Sequence, residues 1–284
     1  MKVGIAYNTG SYGVDPRTVI AVARHAERCG FESFYVPEHI ARYPGATVGP
    51  FEFPPTLPIA APLELLSFVA ATTERILLGA AVLLLPYYHP VLLAKQLATI
   101  DVLSGGRMRL LTVGLGSLPG EAEALGVDFQ ARGRRADEAI DVLRLLWAGD
   151  ENGVSYDGEF FSFQNLCSFP KPLAPGTLPI HVGGASRAAG RRAGQRGDGY
   201  FPGGRLTAGE RASQLDLMRN AAVQAGRDPA ALEYTRWVPA SISAADAGAQ
   251  AALGATRLVA ALGSAGLDGQ REEMSALAAR LGLG

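Results

Sequence analysis

Residues 75–116 read RILLGAAVLLLPYYHPVLLAKQLATIDVLSGGRMRLLTVGLG. The run 76–85 is apolar, too short to cross a bilayer, and closed by Pro86. That combination suits a strand covered on both faces, as in a parallel sheet. Pro90 then stands where a first helical turn tolerates it. Leu93, Leu97 and Ile100 follow at helical spacing, and Gly105-Gly106 stops the helix. A second apolar strand, 108–113, runs into Gly114-Leu115-Gly116. A strand–helix–strand connection of this kind makes the two strands parallel.

The same alternation extends in both directions. Residues 3–7 form a first strand, and the loop 8–14 turns on Gly10 and Gly13. Asp15 as N-cap and Pro16 at the first helical position open a helix. Its apolar stripe is Val19, Val22, Ala23 and Ala26, and Gly30 ends it. His25 lies on this helix, away from any strand end, as a surface or packing residue. Strand two, 33–36, ends in Pro37-Glu38-His39. Residues 41–62 show no period and carry six prolines, Pro44, Pro50, Pro54, Pro55, Pro58 and Pro62. In a barrel, a long loop after a strand lies over the C-terminal face, where such enzymes work. Proline makes it a stiff wall; an idle surface loop is the bland alternative.

Beyond the opening stretch, 118–130 reads as a loop. Ala136, Ala139, Ile140, Leu143, Leu146 and Trp147 mark an amphipathic helix closed by Gly149. Residues 150–177 break the alternation, and 154–163 reads as a hairpin about Asp157-Gly158. Strands follow at 178–182, 199–201, 233–241 and 255–262. Thr207 and Glu210 form a capping box for a helix closed by Gly226 and Pro229, and 270–281 is the last helix. Eight strand–helix pairs predict an α/β chain folded as a (β/α)8 barrel. One domain would cover residues 1–284, with a hairpin-like insertion before strand 5.

Composition sets the bounds. At 284 residues the chain has the size of one such barrel, and 48% hydrophobic residues can fill its core. A net charge of −1 gives no electrostatic reason for nucleic acid or an anionic membrane as partner. Two cysteines, Cys29 and Cys167, have no metal-ligand spacing, so neither a disulfide framework nor a zinc site is expected. A reducing setting fits best. Met1 leads almost directly into the first strand, with no room for a signal peptide, and a cytoplasmic protein is expected.

Two glycine turns could hold an anion. Gly183-Gly184-Ala185-Ser186 after strand five lets backbone approach an oxyanion, adds a hydroxyl, and precedes helical N–H groups. A tight turn without ligand is the alternative. Gly114-Leu115-Gly116-Ser117 is a weaker signal of the same sort. It has neither the six-residue dinucleotide fingerprint nor the lysine of a triphosphate loop. His39, at the end of strand two, can exchange a proton near neutral pH; a packing role is the alternative. Glu38 could orient it or bond to nearby backbone. His89 could cap a helix or face the pocket, and His181 could point into the barrel; both read as structural. Asp101 and Arg107 flank a helix–strand turn as a packing or ion-pair feature.

Several stretches together resemble a known family. They are Leu78-Gly79-Ala80-Ala81-Val82, His89-Pro90-Val91 with Ala94-Lys95, and Asp101-Val102-Leu103-Ser104-Gly105-Gly106-Arg107. The chain resembles the luciferase-like monooxygenases over nearly its whole length. Pro37-Glu38-His39 and Gly197-Asp198-Gly199-Tyr200-Phe201 look closest to the branch that uses the deazaflavin coenzyme F420. The resemblance implies a TIM barrel with the cofactor at the C-terminal ends of its strands, and a homodimer. It places a cofactor phosphate near Gly183, Gly184, Ala185 and Ser186, with Gly114, Gly116, Ser117, Gly199, Tyr200 and Phe201 as further binding positions. It sets His39 against the cofactor ring, where it can serve proton transfer. It also implies a non-prolyl cis peptide, by position Ala81–Val82. The resulting bulge, formed by Ala80, Ala81 and Val82, would support the ring's middle. The residues themselves do not require that bond, which costs about 3 kcal/mol or more. Sugar-phosphate dehydrogenases of the family carry glutamate where this chain has Ser117, which argues against the same acid and substrate. The expected activity is hydride transfer between the deazaflavin C5 and an organic small molecule. The alternatives are a monooxygenase taking reduced FMN from a separate flavin reductase, and a non-catalytic flavin-binding protein.

Overall fold

Eight strands, all paired in parallel, close into a barrel in the order β1-β8-β7-β6-β5-β4-β3-β2. They are β1 (Lys2–Ala6), β2 (Ser33–Val36), β3 (Leu77–Leu84), β4 (Met108–Gly114), β5 (Ile180–Gly183), β6 (Gly199–Phe201), β7 (Glu233–Pro239) and β8 (Arg257–Ala261). The computed structural model describes residues 1–48, 51–173, 178–203 and 206–284. Eight helices alternate with the strands: α1 (Pro16–Arg28), α2 (Pro62–Ala70), α3 (Pro90–Leu103), α4 (Arg132–Ala148), α5 (Arg187–Arg196), α6 (Ala208–Gln224), α7 (Ala244–Ala252) and α8 (Leu267–Leu281). Strand order follows chain order around the ring, the topology of a (β/α)8 barrel.

Local chemistry accounts for the helix starts. The Asp15 carboxylate accepts the Thr18 N–H at 2.8 Å with Pro16 at the first position. Thr207 and Glu210 form the reciprocal capping box that the sequence predicts. The stripe Val19, Val22, Ala23 and Ala26 is buried, as are Leu93, Leu97 and Ile100 of α3. These faces fill the layer between strands and helices. Inside the ring lies a second, smaller core made by strands alone: Tyr35, Leu110, Phe201 and Val259. Phe201 packs on Trp237 with ring centroids 4.7 Å apart.

The N-terminal end of the barrel is closed by charge. Arg257, 1% exposed, donates to Glu32 at 2.7 and 2.9 Å and to Glu233 at 2.5 Å. Lys2 adds a bond to Glu233 at 2.8 Å. His181 does point inward, its Nε2 3.4 Å from Glu233. Burial holds its imidazole down at about 4, so near neutral pH this contact joins a neutral ring to a carboxylate.

Several details depart from expectation. The loop 8–14 contains a helical turn, Thr9–Tyr12, capped by Asn8. The loop 118–130 contains a short helix, Pro119–Ala124, opened by Pro119 with Glu121 in its first turn. The stretch 41–62 includes a two-residue pairing of Thr47–Val48 with Phe51–Glu52, while Pro50 lies outside the described residues. The insertion before β5 is a hairpin, Val154–Asp157 with Ser162–Leu166. Its connection spans residues 158–161 rather than a two-residue turn on Asp157-Gly158, because Asp157 pairs with Ser162. Residues 174–177 lie outside the described residues. Asp101 and Arg107 do not pair with each other. Asp101 meets Arg109 at 3.3 Å and accepts the Leu173 N–H at 2.8 Å. Arg107 instead donates to the carbonyls of Ala70, Thr73, Ile76 and Ser104.

Candidate functional site

The C-terminal ends of the strands are open. A cleft of about 460 Å³ runs from the end of β2 across β3 and β4 to the turn after β5. Its walls include His39, Ala81, Val82, Gly114, Gly116, Ser117, Gly183, Gly184, Ala185 and Ser186. The structure therefore gathers most of the sequence candidates into one cavity.

Three side chains explain the shape of its floor. The peptide between Ala81 and Val82 is cis, and the pairing of β3 with β4 shifts register between Ala81 and Leu83. Val82 fills the room that side chains at two glycines would need. A Cβ on Gly183 would lie 2.6 Å from its Cγ1, and one on Gly114 would overlap its Cγ2. A Cβ on Gly116 would overlap the Tyr87 hydroxyl, which is itself buried with no hydrogen-bond partner. Gly184 has φ +104°, a backbone state open to glycine. Ser186 caps α5, its hydroxyl oxygen accepting the Ala189 N–H at 3.1 Å. The N-terminus of α5, with Ser186 and Ala189, lines the cleft beside Gly184 and Ala185.

Four sequence candidates stand elsewhere. Ala80 is fully buried in the outer core. Gly199, Tyr200 and Phe201 do not line the cleft, although β6 runs beside β5 with Phe201 paired to Gly183. Tyr200 supports the glycine turn, donating to the Gly184 carbonyl at 2.9 Å. Phe201 belongs to the inner core, and Gly199 packs against His181. His89 stays out of the cleft, its ring 5.5 Å from that of Phe161. His25 bonds to Ser275 on α8 at 2.9 Å.

Sequence reasoning missed Glu121 and Arg132. Glu121 is 1% exposed, and its carboxylate takes the Ile40 N–H at 2.6 Å, the Ala41 N–H at 3.2 Å and His39 Nδ1 at 3.2 Å. It thereby fixes both the chain after β2 and the His39 ring, whose Nε2 makes no hydrogen bond to the described residues. The signal was present: proline followed two residues later by glutamate is a helix start. Arg132 lines the cleft at the start of α4, with its Nε buried and unpartnered. No sequence pattern separates it from the other arginines of that helix.

Glu38 does not orient His39. One oxygen accepts the Leu84 N–H at 2.5 Å and the other the Tyr88 hydroxyl, so it ties β2 to the end of β3. Burial pushes its carboxyl up to about 7, against the pull of those two donors. The folded state then binds this proton more tightly than the unfolded chain does. Its stabilisation is full below about pH 4.5 and is lost as pH rises through about 7, an effect of order 3 kcal/mol. Glutamine can accept from Leu84 and donate to Tyr88 while staying neutral. Denaturant melts of Glu38→Gln should therefore lose the decline in stability that the parent shows across this window. Parallel pH profiles for the two proteins would contradict this account.

Comparison with known proteins places this geometry. A family model described as luciferase-like monooxygenase matches residues 1–283. An uncharacterized protein of Mycobacterium tuberculosis is 36% identical over 192 residues, so the chain spans 65% of that relative's length. The F420-dependent glucose-6-phosphate dehydrogenase of Beutenbergia cavernae is 33% identical over 204 residues, covering 69% of this chain and 55% of that enzyme. The monooxygenase RslO1 from Streptomyces bottropensis shares the fold, with a TM-score of 0.79 over 99% of this chain and 98% of its own, at 22% identity. Among the described residues no helix is long and apolar enough to cross a membrane.

Proposed function

Because the chain belongs to the luciferase-like monooxygenase family, we propose that it is an F420-dependent oxidoreductase acting on an organic small molecule, with the whole chain working as one barrel domain. The observation that carries this reading is the cleft whose wall is shared by His39 and the glycine turn at the N-terminus of α5. The residues present fit a flat, anionic cofactor. Gly183, Gly184, Ala185 and Ser186 would hold its phosphate, and the unpartnered Arg132 Nε is a spare donor on the cleft wall. Ala81 and Val82 would support the ring. When bound, F420 supplies a two-electron carrier that gives or takes hydride at C5.

The protein's own work is placement and proton handling. Glu121 holds His39 by Nδ1 and so would leave its Nε2 for the substrate. When a substrate C–H leaves as hydride, an O–H on the same carbon releases its proton to His39 as the C=O forms. In the reverse direction His39 returns that proton.

FMN satisfies the same anion turn, so comparative titration decides the reaction class. F420 should bind more tightly than FMN in both oxidation states. Tighter FMN binding, with oxygen uptake when reduced FMN and substrate are supplied, would move the protein to the monooxygenase reading. The anion turn has its own check. Gly184→Asp should weaken F420 binding by roughly 10- to 100-fold, whereas Gly184→Ala, which shares the backbone strain but adds no charge, should lose much less. Equal losses in the two variants would put the phosphate elsewhere.

A further inference from the structure

A second chamber of about 350 Å³ opens at the barrel mouth beside the cleft, over the ends of β1, β2, β7 and β8. The two cavities share Asn8, Pro37 and Ala81, so a molecule in the chamber lies next to one held on the Ala81–Val82 bulge. Its lining has an unusual property: among the described residues no charged side chain contributes to it. Tyr12 and Trp237 give aromatic walls, and Ala261 and Leu262 close one side. Two of its polar groups are already engaged. The Tyr12 hydroxyl donates to the Leu262 carbonyl at 2.5 Å, and the Asn8 side-chain oxygen accepts the Gly10 N–H at 3.0 Å. Ser11, the Asn8 amide nitrogen and the Trp237 indole N–H are left to meet a polar ligand atom, and the Tyr35 hydroxyl is buried without a partner. The ionisable side chains at the mouth, Glu38, His39 and Arg132, line the neighbouring cleft instead.

On this accounting we propose that the chamber is the substrate subsite and takes a neutral, mainly apolar molecule with a single oxygen function. The inference rests on the oxidoreductase reading and adds the substrate class to it. A phosphate or carboxylate placed there would be desolvated with no cation to pair with. The volume, at the small end of ligand pockets at about 300–1,000 Å³, suits a molecule of one or two rings.

The probes are cyclohexanone, cyclohexanecarboxylate and glucose 6-phosphate, with binding to the full-length protein followed by ligand-detected NMR and calorimetry, with and without F420. Cyclohexanone should saturate at millimolar concentration, and the two anions should not. Ala261 is exposed at the chamber rim and outside the cleft, so Ala261→Lys should fold and leave F420 affinity alone. It should weaken cyclohexanone on the order of tenfold and admit the carboxylate. Three results would overturn the assignment: an anion binding the parent protein as well as cyclohexanone does, no saturation by cyclohexanone, or an Ala261→Lys protein with unchanged preferences. The cofactor reading fails separately. If F420 does not bind while cyclohexanone binds and responds to Ala261→Lys, the chamber stands and the cofactor assignment falls.

Discussion

Replacing His39 by asparagine is expected to lower turnover by about 100- to 10,000-fold with cofactor affinity nearly unchanged, the range that general acid–base groups contribute. Asparagine keeps a polar side chain beside Glu121 but cannot exchange a proton near neutral pH. Glu121 would still bind the Ile40 and Ala41 N–H groups, so the loop that carries the residue stays in place. The loss should therefore fall on kcat, and the limb of the pH–rate profile that reports this imidazole should vanish. Equal rates in both proteins across the neutral range would reduce His39 to a packing residue against Phe53, whose ring lies 5.7 Å away.

The other large effect belongs to the opposite end of the barrel. Arg257→Met should cost about 3–5 kcal/mol of stability, because it removes the buried cation that Glu32 and Glu233 share and leaves them only the half-exposed Lys2. Against the desolvation that pushes it up, Glu233 is held at about 2 by hydrogen bonds from Arg257 and Lys2. A carboxylate depressed in this way stabilises the fold above its ordinary range and loses that contribution as pH falls through about 2. The deficit of the variant should thus be largest near neutrality and shrink in acid. Urea unfolding at several pH values measures both. A deficit under about 1 kcal/mol near neutral pH, the size of an exposed pair, would show that the network is not working as a buried one.

The barrel was legible because each turn of the chain announces itself locally. Val19 to Ala26 and Leu93 to Ile100 are apolar stripes at helical spacing, β3 is a continuous apolar run, and β4 is mainly apolar. The glycine turns were legible for the same reason, since backbone approach requires a residue type that stands out. Glu121 and Arg132 were not, because their roles depend on which loop folds over which strand end. Glu121 reaches His39 across 82 positions of sequence, and no local pattern encodes that distance. Gly199, Tyr200 and Phe201 show the converse: a recognisable stretch that does not line the cleft, with Tyr200 bonded to the Gly184 carbonyl instead. Glu38 was underrated because its partners, Leu84 and Tyr88, belong to a different strand–helix unit.

Val82 and the two glycines beside it have an evolutionary consequence. The isopropyl group occupies volume that β4 and β5 each surrender by carrying hydrogen at Gly114 and Gly183. The three positions lie on three different strands, so they form one unit of inheritance rather than three. A larger residue at position 114 or 183 is tolerable only after position 82 has shrunk, and a larger residue at 82 finds both flanks already full. Drift through this part of the barrel must proceed by paired substitutions in a fixed order, with the small residue arriving first.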